Sequence, residues 1–290
     1  ISGLYAAGYT PEQMRQIAVS GDMERWLFGR LDKRHYRYFR EQDSPPTLLT
    51  LRFNVARDSL NVGGNSLTSG SVDRNPMMQL PTDILSSTQI ELALSELLRP
   101  ATEACGGKFD NLMVPFFCVA ADMNDRKAVV FREGDLGEAI RASMSIPFVF
   151  KPLQKSDMLL YDGGVFNNFP WQYTVEYYNP KHIIGVKCTT GNKDVTEKSN
   201  VIEQAMSFIM AHTDYALPAE GNILIDRAVD AGMLEFDKAE RIIEQGYNDT
   251  KARMDEILAT VPARRSAAEL AARREAFTAK LPKMVLSRPK

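Results

Sequence analysis

The run Val114-Pro115-Phe116-Phe117-Cys118-Val119-Ala120-Ala121 carries no charged or amide side chain. It is too short for a membrane span and lacks the alternation of a half-solvated strand. It therefore reads as a strand buried on both faces, as in a parallel sheet. Such a strand needs cover on each side, and its neighbours supply it. From Ser86 to Ala104 the apolar residues Ile90, Leu92, Ala93, Leu94, Leu97 and Leu98 recur at helical spacing. Asp135 opens a helix that runs to about Met144, where Ile146-Pro147 stops it. His182 to Cys188 forms a second buried strand. Strands alternating with helices imply an α/β fold with a mostly parallel central sheet flanked by helices.

The rest of the chain fits that frame with exceptions. Thr10-Pro11-Glu12 is a helix start, with Thr as N-cap and Pro in the first turn, and the helix runs to about Ser20. A short helix follows near Asp22. Lys127 to Arg132 and Leu159 to Tyr161 are strands, and Trp171 to Tyr178 is a helix. Further on, a helix is expected from Val195 to His212, a strand from Asn222 to Asp226, a long helix from Phe236 to Leu258, and another from Ser266 to Lys280. Residues 47–80 are rich in Gly, Ser and Asn and read as an irregular β excursion or cap. At 44% apolar and 25% charged residues, the 290-residue chain has the composition of a globular protein with a sizeable core. Its net charge of −2 gives no reason to expect a nucleic-acid partner. Cys105, Cys118 and Cys188 form no close pair of the kind that holds zinc.

The stretch with the most chemistry is Asp162-Gly163-Gly164-Val165-Phe166-Asn167-Asn168-Phe169-Pro170. It puts a carboxylate at a strand end, followed by two glycines that allow close backbone approach. Sites of α/β sheets lie at the carboxyl ends of strands. Taken alone, an Asp-Gly turn is also a common structural device. A second stretch, Arg141-Ala142-Ser143-Met144-Ser145-Ile146-Pro147-Phe148-Val149-Phe150, is a helix end followed by a Pro-fixed turn. By itself it is equally well a plain helix-to-strand connection.

Together the two stretches resemble the patatin-like phospholipase family in its bacterial form. Further stretches share the resemblance: Phe109 to Leu112 with Val114-Pro115-Phe116 and Ala120-Ala121-Asp122, then Gly134-Asp135-Leu136, and Gly3 to Glu12. The likeness covers roughly 1–25 and 85–250. It implies a three-layer α/β fold and a lipid acyl hydrolase that cleaves carboxylic esters, phospholipid or lysophospholipid above all, through a Ser–Asp dyad. On that resemblance Asp162 is the catalytic base and Gly163 and Gly164 form its turn. The family's nucleophile sits in a Gly-x-Ser-x-Gly elbow, and no such motif occurs between Ile1 and Lys290. The expectation is a serine about five residues upstream of Ile1, because Ile1 to Gly8 reads as the end of a helix, with a glycine-rich oxyanion loop further upstream. The 290 residues alone are then expected to be inactive. The expected organisation is a patatin-like domain over 1–260, with an irregular insertion at about 30–80. Residues 261–290 would form a helical tail or a linker to a further domain.

Competing readings remain at this level. A Ser-His-Asp triad has His35, His182 and His212 to draw on, and only His182 adjoins a buried strand. A non-catalytic lipid-binding or envelope-assembly module on the same scaffold is the second functional class. The dyad chemistry needs no metal or organic cofactor. The partner is a lipid substrate, and the basic-aromatic segment 30–40 is a candidate for peripheral membrane contact. Gly63-Gly64-Asn65-Ser66 lacks the Lys-Ser/Thr ending of a phosphate loop. On the resemblance to bacterial members, the compartment stays open, with the cell envelope or the exterior slightly favoured over the cytoplasm.

Overall fold

The structure, a computed structural model, describes residues 1–29, 85–189, 201–218, 220–229, 231 and 235–282. The excursion at 47–80, the basic-aromatic segment 30–40, and His35 lie outside the described residues.

The N-terminal helices are short and closely capped. Helix α1 (Ser2–Ala6) turns at Gly8, and α2 (Pro11–Val19) begins with a complete capping box. The Thr10 side chain accepts from the Gln13 N–H, and the Gln13 side chain accepts from the Thr10 N–H. Helix α3 (Asp22–Leu27) follows. Helix α4 (Thr88–Ala104) carries the expected apolar stripe, with Ile90, Ala93, Leu98 and Ala101 buried. Helix α5 (Leu136–Ser143) is capped by Asp135, whose carboxylate accepts from the Glu138 N–H at 2.8 Å.

The sheet corrects the expectation of a mostly parallel arrangement. Strands β1 (Cys118–Asp122), β2 (Lys127–Phe131), β3 (Leu153–Lys155) and β4 (Met158–Asp162) form one sheet in the order β2-β1-β4-β3, and every pairing in it is antiparallel. The physical reason is connection length. Only residues 123–126 join β1 to β2, and only Ser156 and Asp157 join β3 to β4. Parallel strands need a crossover of about a dozen residues or more. The buried Asp122 ties the β1–β2 connection to β4, since its carboxylate accepts from the N–H groups of Asn124 and Leu159. Parallel pairing is seen between β5 (Ile184–Lys187) and β6 (Ile223–Asp226), where the intervening chain is long enough to carry α7 (Val201–Ile209). The run from Val114 to Ala121 becomes regular strand only at Cys118.

Helix α5 packs on β1 and β4, and α4 packs on α5, so the helices cover this sheet in successive layers. The largest cluster of buried side chains includes Leu98, Phe109, Met113, Leu136 and Ala139, together with Leu4 from α1. The long helix expected from Phe236 divides into a 3-10 turn, α8 (Ala239–Ala252) and α9 (Met254–Thr260). Helix α10 (Ala267–Thr278) returns to the main core, where Phe277 is buried. Helix α6 (Trp171–Tyr178) follows the turn after β4. No described helix is long and apolar enough to cross a membrane.

Candidate active site

Asp162 is the last residue of β4, paired with Ala120 in the middle of the sheet. Its N–H donates to the Ser145 carbonyl at 2.9 Å, which fixes the strand end to the turn after α5. The chain then tightens into a 3-10 turn, Gly163–Val165, and the Gly164 N–H donates to Asp162 Oδ1 at 2.7 Å. Both glycines are dictated by space. A β-carbon on Gly163 would stand 2.5 Å from the Val119 carbonyl oxygen. One on Gly164 would stand 2.6 Å from Asn168 Oδ1 and 2.9 Å from Met210 Cε.

The turn is buttressed from the far side. The Ala211 N–H donates to the Val165 carbonyl at 2.8 Å, and the Asn168 N–H donates to the buried Thr213 hydroxyl at 3.0 Å. Asn168 also donates from its amide to the Tyr215 hydroxyl, and Asn167 accepts from the Phe169 N–H. The two asparagines therefore hold the turn in shape, as their short polar side chains suggest.

Asp162 opens onto a cavity of about 820 Å³. Gly163, Gly164, Asn167 and Asn168 share its polar side. The remaining lining is mainly apolar: Met23 and Trp26 from α3, Ile90, Leu94 and Leu97 from α4, and Ile140 and Met144 from the α5 region. Ile1 to Leu4 line the same cavity, so α1 and the base candidate face one space. The volume suits a mid-sized organic ligand and the lining suits an apolar one. Burial pushes the Asp162 carboxyl up to about 6 from 3.8, and the hydrogen bond from Gly164 pulls the other way. A carboxylate in this state is ionised at neutral pH yet basic enough to accept a proton.

Asp162, Gly163 and Gly164, the site residues carried over from the resemblance, are consecutive and all three line the cavity. Among the described residues the structure brings no histidine to them. His182 holds the Gly221 carbonyl at 2.8 Å through Nδ1, and neither it nor His212 is among the cavity-lining residues. Thr213 and Tyr215 escaped the sequence reading because they lie some fifty positions downstream in a segment without regular structure. The α4 stripe was visible from its period, but nothing in the period shows that part of it faces a cavity.

A half-buried acid at a strand end, beside a large and mainly apolar cavity, gives this scaffold of helices and sheet a proton acceptor next to room for an apolar ligand. The comparison with known families makes this specific: the patatin-like phospholipase model matches residues 1–175. The chain belongs to the patatin-like phospholipase family, whose members are generally lipid hydrolases. An uncharacterized NTE family protein of Mycobacterium tuberculosis (strain ATCC 25618 / H37Rv) is 39% identical over 69 residues, covering 22% of this chain and 12% of that protein. A second uncharacterized NTE family protein of the same strain is 34% identical over 87 residues, covering 30% of this chain and 22% of that protein. Patatin-like phospholipase domain-containing protein 7 of Mus musculus is 27% identical over 121 residues, 41% of this chain and 8% of that protein. The matched part of the chain spans 22% or less of the length of each of these relatives.

Proposed function

We propose that this chain carries the base half of a Ser–Asp dyad that hydrolyses the carboxylic esters of lipids, phospholipid or lysophospholipid in particular. The single observation behind this reading is Asp162, half-buried beside an apolar cavity with its carboxyl raised to about 6. The nucleophile is a serine in a Gly-x-Ser-x-Gly elbow leading into α1. The position of Ile1 to Leu4 on the same cavity supports that placement.

In the first step the serine hydroxyl attacks the ester carbonyl and its proton passes to Asp162. The tetrahedral oxyanion is held by backbone N–H donors of the elbow and of an upstream glycine-rich loop. The alcohol leaves with the proton from Asp162. Water, again deprotonated by Asp162, then frees the fatty acid and restores the serine. An ordinary aspartate is a weak base for this work, and burial narrows the mismatch. The acyl chain lies against Leu94, Leu97 and Ile140.

The test uses a fluorophosphonate probe and a fatty-acyl p-nitrophenyl ester on the chain extended upstream through the elbow. Covalent labelling of one serine, with turnover that Asp162→Asn lowers by roughly 10²–10⁴-fold, is the expected result. A chain with a non-nucleophile at the elbow position that binds lipid without turnover overturns the reading in favour of a lipid-binding module.

A further inference from the structure

Arg141 is 2% exposed, an unusual place for a guanidinium, and all three of its nitrogens are engaged. Nη1 donates to the Ser145 hydroxyl at 2.6 Å, and Nη2 donates to the Lys151 carbonyl at 2.8 Å. Nε donates to Glu91 of α4 at 3.2 Å. The Ser145 hydroxyl donates in turn to the Arg141 carbonyl at 2.9 Å, and the guanidinium lies 5.5 Å from the Phe150 ring centre. The turn between α5 and β3 is therefore gripped at both ends by one side chain.

That turn does not hold its shape unaided. Phe148 sits at φ +63°, a left-handed conformation that a bulky residue keeps only when its surroundings enforce it. The grip matters for the site because the carbonyl of Ser145 is the acceptor for the Asp162 N–H, at 2.9 Å. Contact thus runs without a gap from Glu91, beside the cavity-lining Ile90, through Arg141 and Ser145 to the backbone of Asp162.

We propose that Arg141 is a positioning residue for Asp162: its two-pronged hold on Ser145 and Lys151 fixes the carbonyl from which the Asp162 backbone hangs, and so sets where the carboxylate lies in the cavity wall. The functional importance of this placement rests on Asp162 being the base, whereas the placement itself does not. A lysine in the same position keeps the charge but lacks the planar fork and cannot bridge both partners. Without the bridge the turn relaxes, water reaches the strand end, and the carboxylate becomes easier to ionise.

The experiment follows the titration of Asp162 by carbon NMR in the 290-residue chain labelled at its aspartate carboxyl carbons, with Asp162→Asn assigning the resonance. Arg141→Lys and Ser145→Ala are each expected to lower the midpoint by about one pH unit or more. Glu91→Gln, which alters only the half-exposed end of the network, is expected to leave it in place. An unchanged midpoint in Arg141→Lys and Ser145→Ala, with both folded by near-ultraviolet circular dichroism, overturns the proposal and leaves Arg141 as a stabilising residue only. If Arg141→Lys does not fold, Ser145→Ala decides by the same criterion. In the ester-hydrolysing protein, Arg141→Lys is expected to lower kcat by roughly tenfold or more with KM nearly unchanged. Full activity in Asp162→Asn would remove the base assignment while leaving the titration result intact, so the two failures are told apart.

Discussion

A carboxylate that is to accept a proton near neutrality has to be kept where water solvates its charge poorly, and the fold carries the consequence. Asp162 titrates near 6 in the folded chain, against about 4 when unfolded. The native state therefore holds its proton more firmly. The associated stability is fully present below pH ~4 and is lost as pH rises through about 6. At pH 8 the buried charge costs on the order of 3 kcal/mol. Asp162→Asn should thus raise the urea midpoint at pH 8, with a margin that shrinks toward pH 4, while hydrolysis falls by roughly 10²–10⁴-fold. A variant less stable than the wild type at pH 8 would show that the carboxylate is favourably held instead. The wild-type rate should rise along a titration centred near pH 6. The adjoining glycines differ in what they oppose. Gly163→Ala meets the Val119 backbone, whereas Gly164→Ala meets the ends of Asn168 and Met210. Thermal melts should show Gly163→Ala as the more damaging, because only side chains can step aside. Asp162 and its glycines stood out through the family resemblance rather than from the turn itself, because an Asp-Gly turn taken alone is a common structural device. The task of Ser145 did not stand out, because a carbonyl acceptor leaves no trace in residue identity.

At the scale of elements, α4 serves two neighbours at once. Ala101 is buried in the main cluster, while Leu94 and Leu97 reach the cavity and Glu91 reaches Arg141. Its 3.6-residue period revealed a helix with one apolar face, but the division of that face between core and cavity depends on where α3 and α5 come to rest. If the cavity takes the acyl chain, Leu97→Trp should shorten it. KM for long-chain p-nitrophenyl esters should then rise about tenfold while acetate hydrolysis is little affected. A uniform loss across chain lengths would place the acyl group elsewhere. The strands show the opposite case, in which the pattern misled. An uninterrupted apolar run reads as a strand of a parallel sheet, and β1 is indeed buried from Val119 to Asp122. It is buried because α5 packs on it, while its partners run antiparallel. The turn residues 123–126 carried the better signal, since so short a link permits only a hairpin.

Over the whole molecule, the first and last described helices meet. Phe277 of α10 is 5% exposed and joins the cluster that contains Leu4, Leu98 and Phe109. A β-carbon on Gly8 would sit 3.4 Å from its ring, and Arg274 lies 5.7 Å from the centre of the Tyr5 ring. Helix α10 itself has few large apolar residues, so its sequence suggests a polar tail, and one phenylalanine in a late turn is too small a signal to say otherwise. Its docking nevertheless bears on the site, because α1, whose Leu4 shares a cluster with Phe277, lines the cavity together with α4. Tyr9 reinforces that wall by donating its hydroxyl to the Leu97 carbonyl at 3.0 Å, and Arg15 of α2 pairs with Glu240 of α8. Phe277→Ala should therefore lower stability by about 3–5 kcal/mol, the usual cost of emptying a buried aromatic site. In urea the transition should shift as a whole with its slope preserved, since α10 would unfold together with the core. A helix that only leads away from the domain would give a midpoint equal to the wild type. A separate early transition confined to helix signal would instead mean that α10 docks without being part of the cooperative unit.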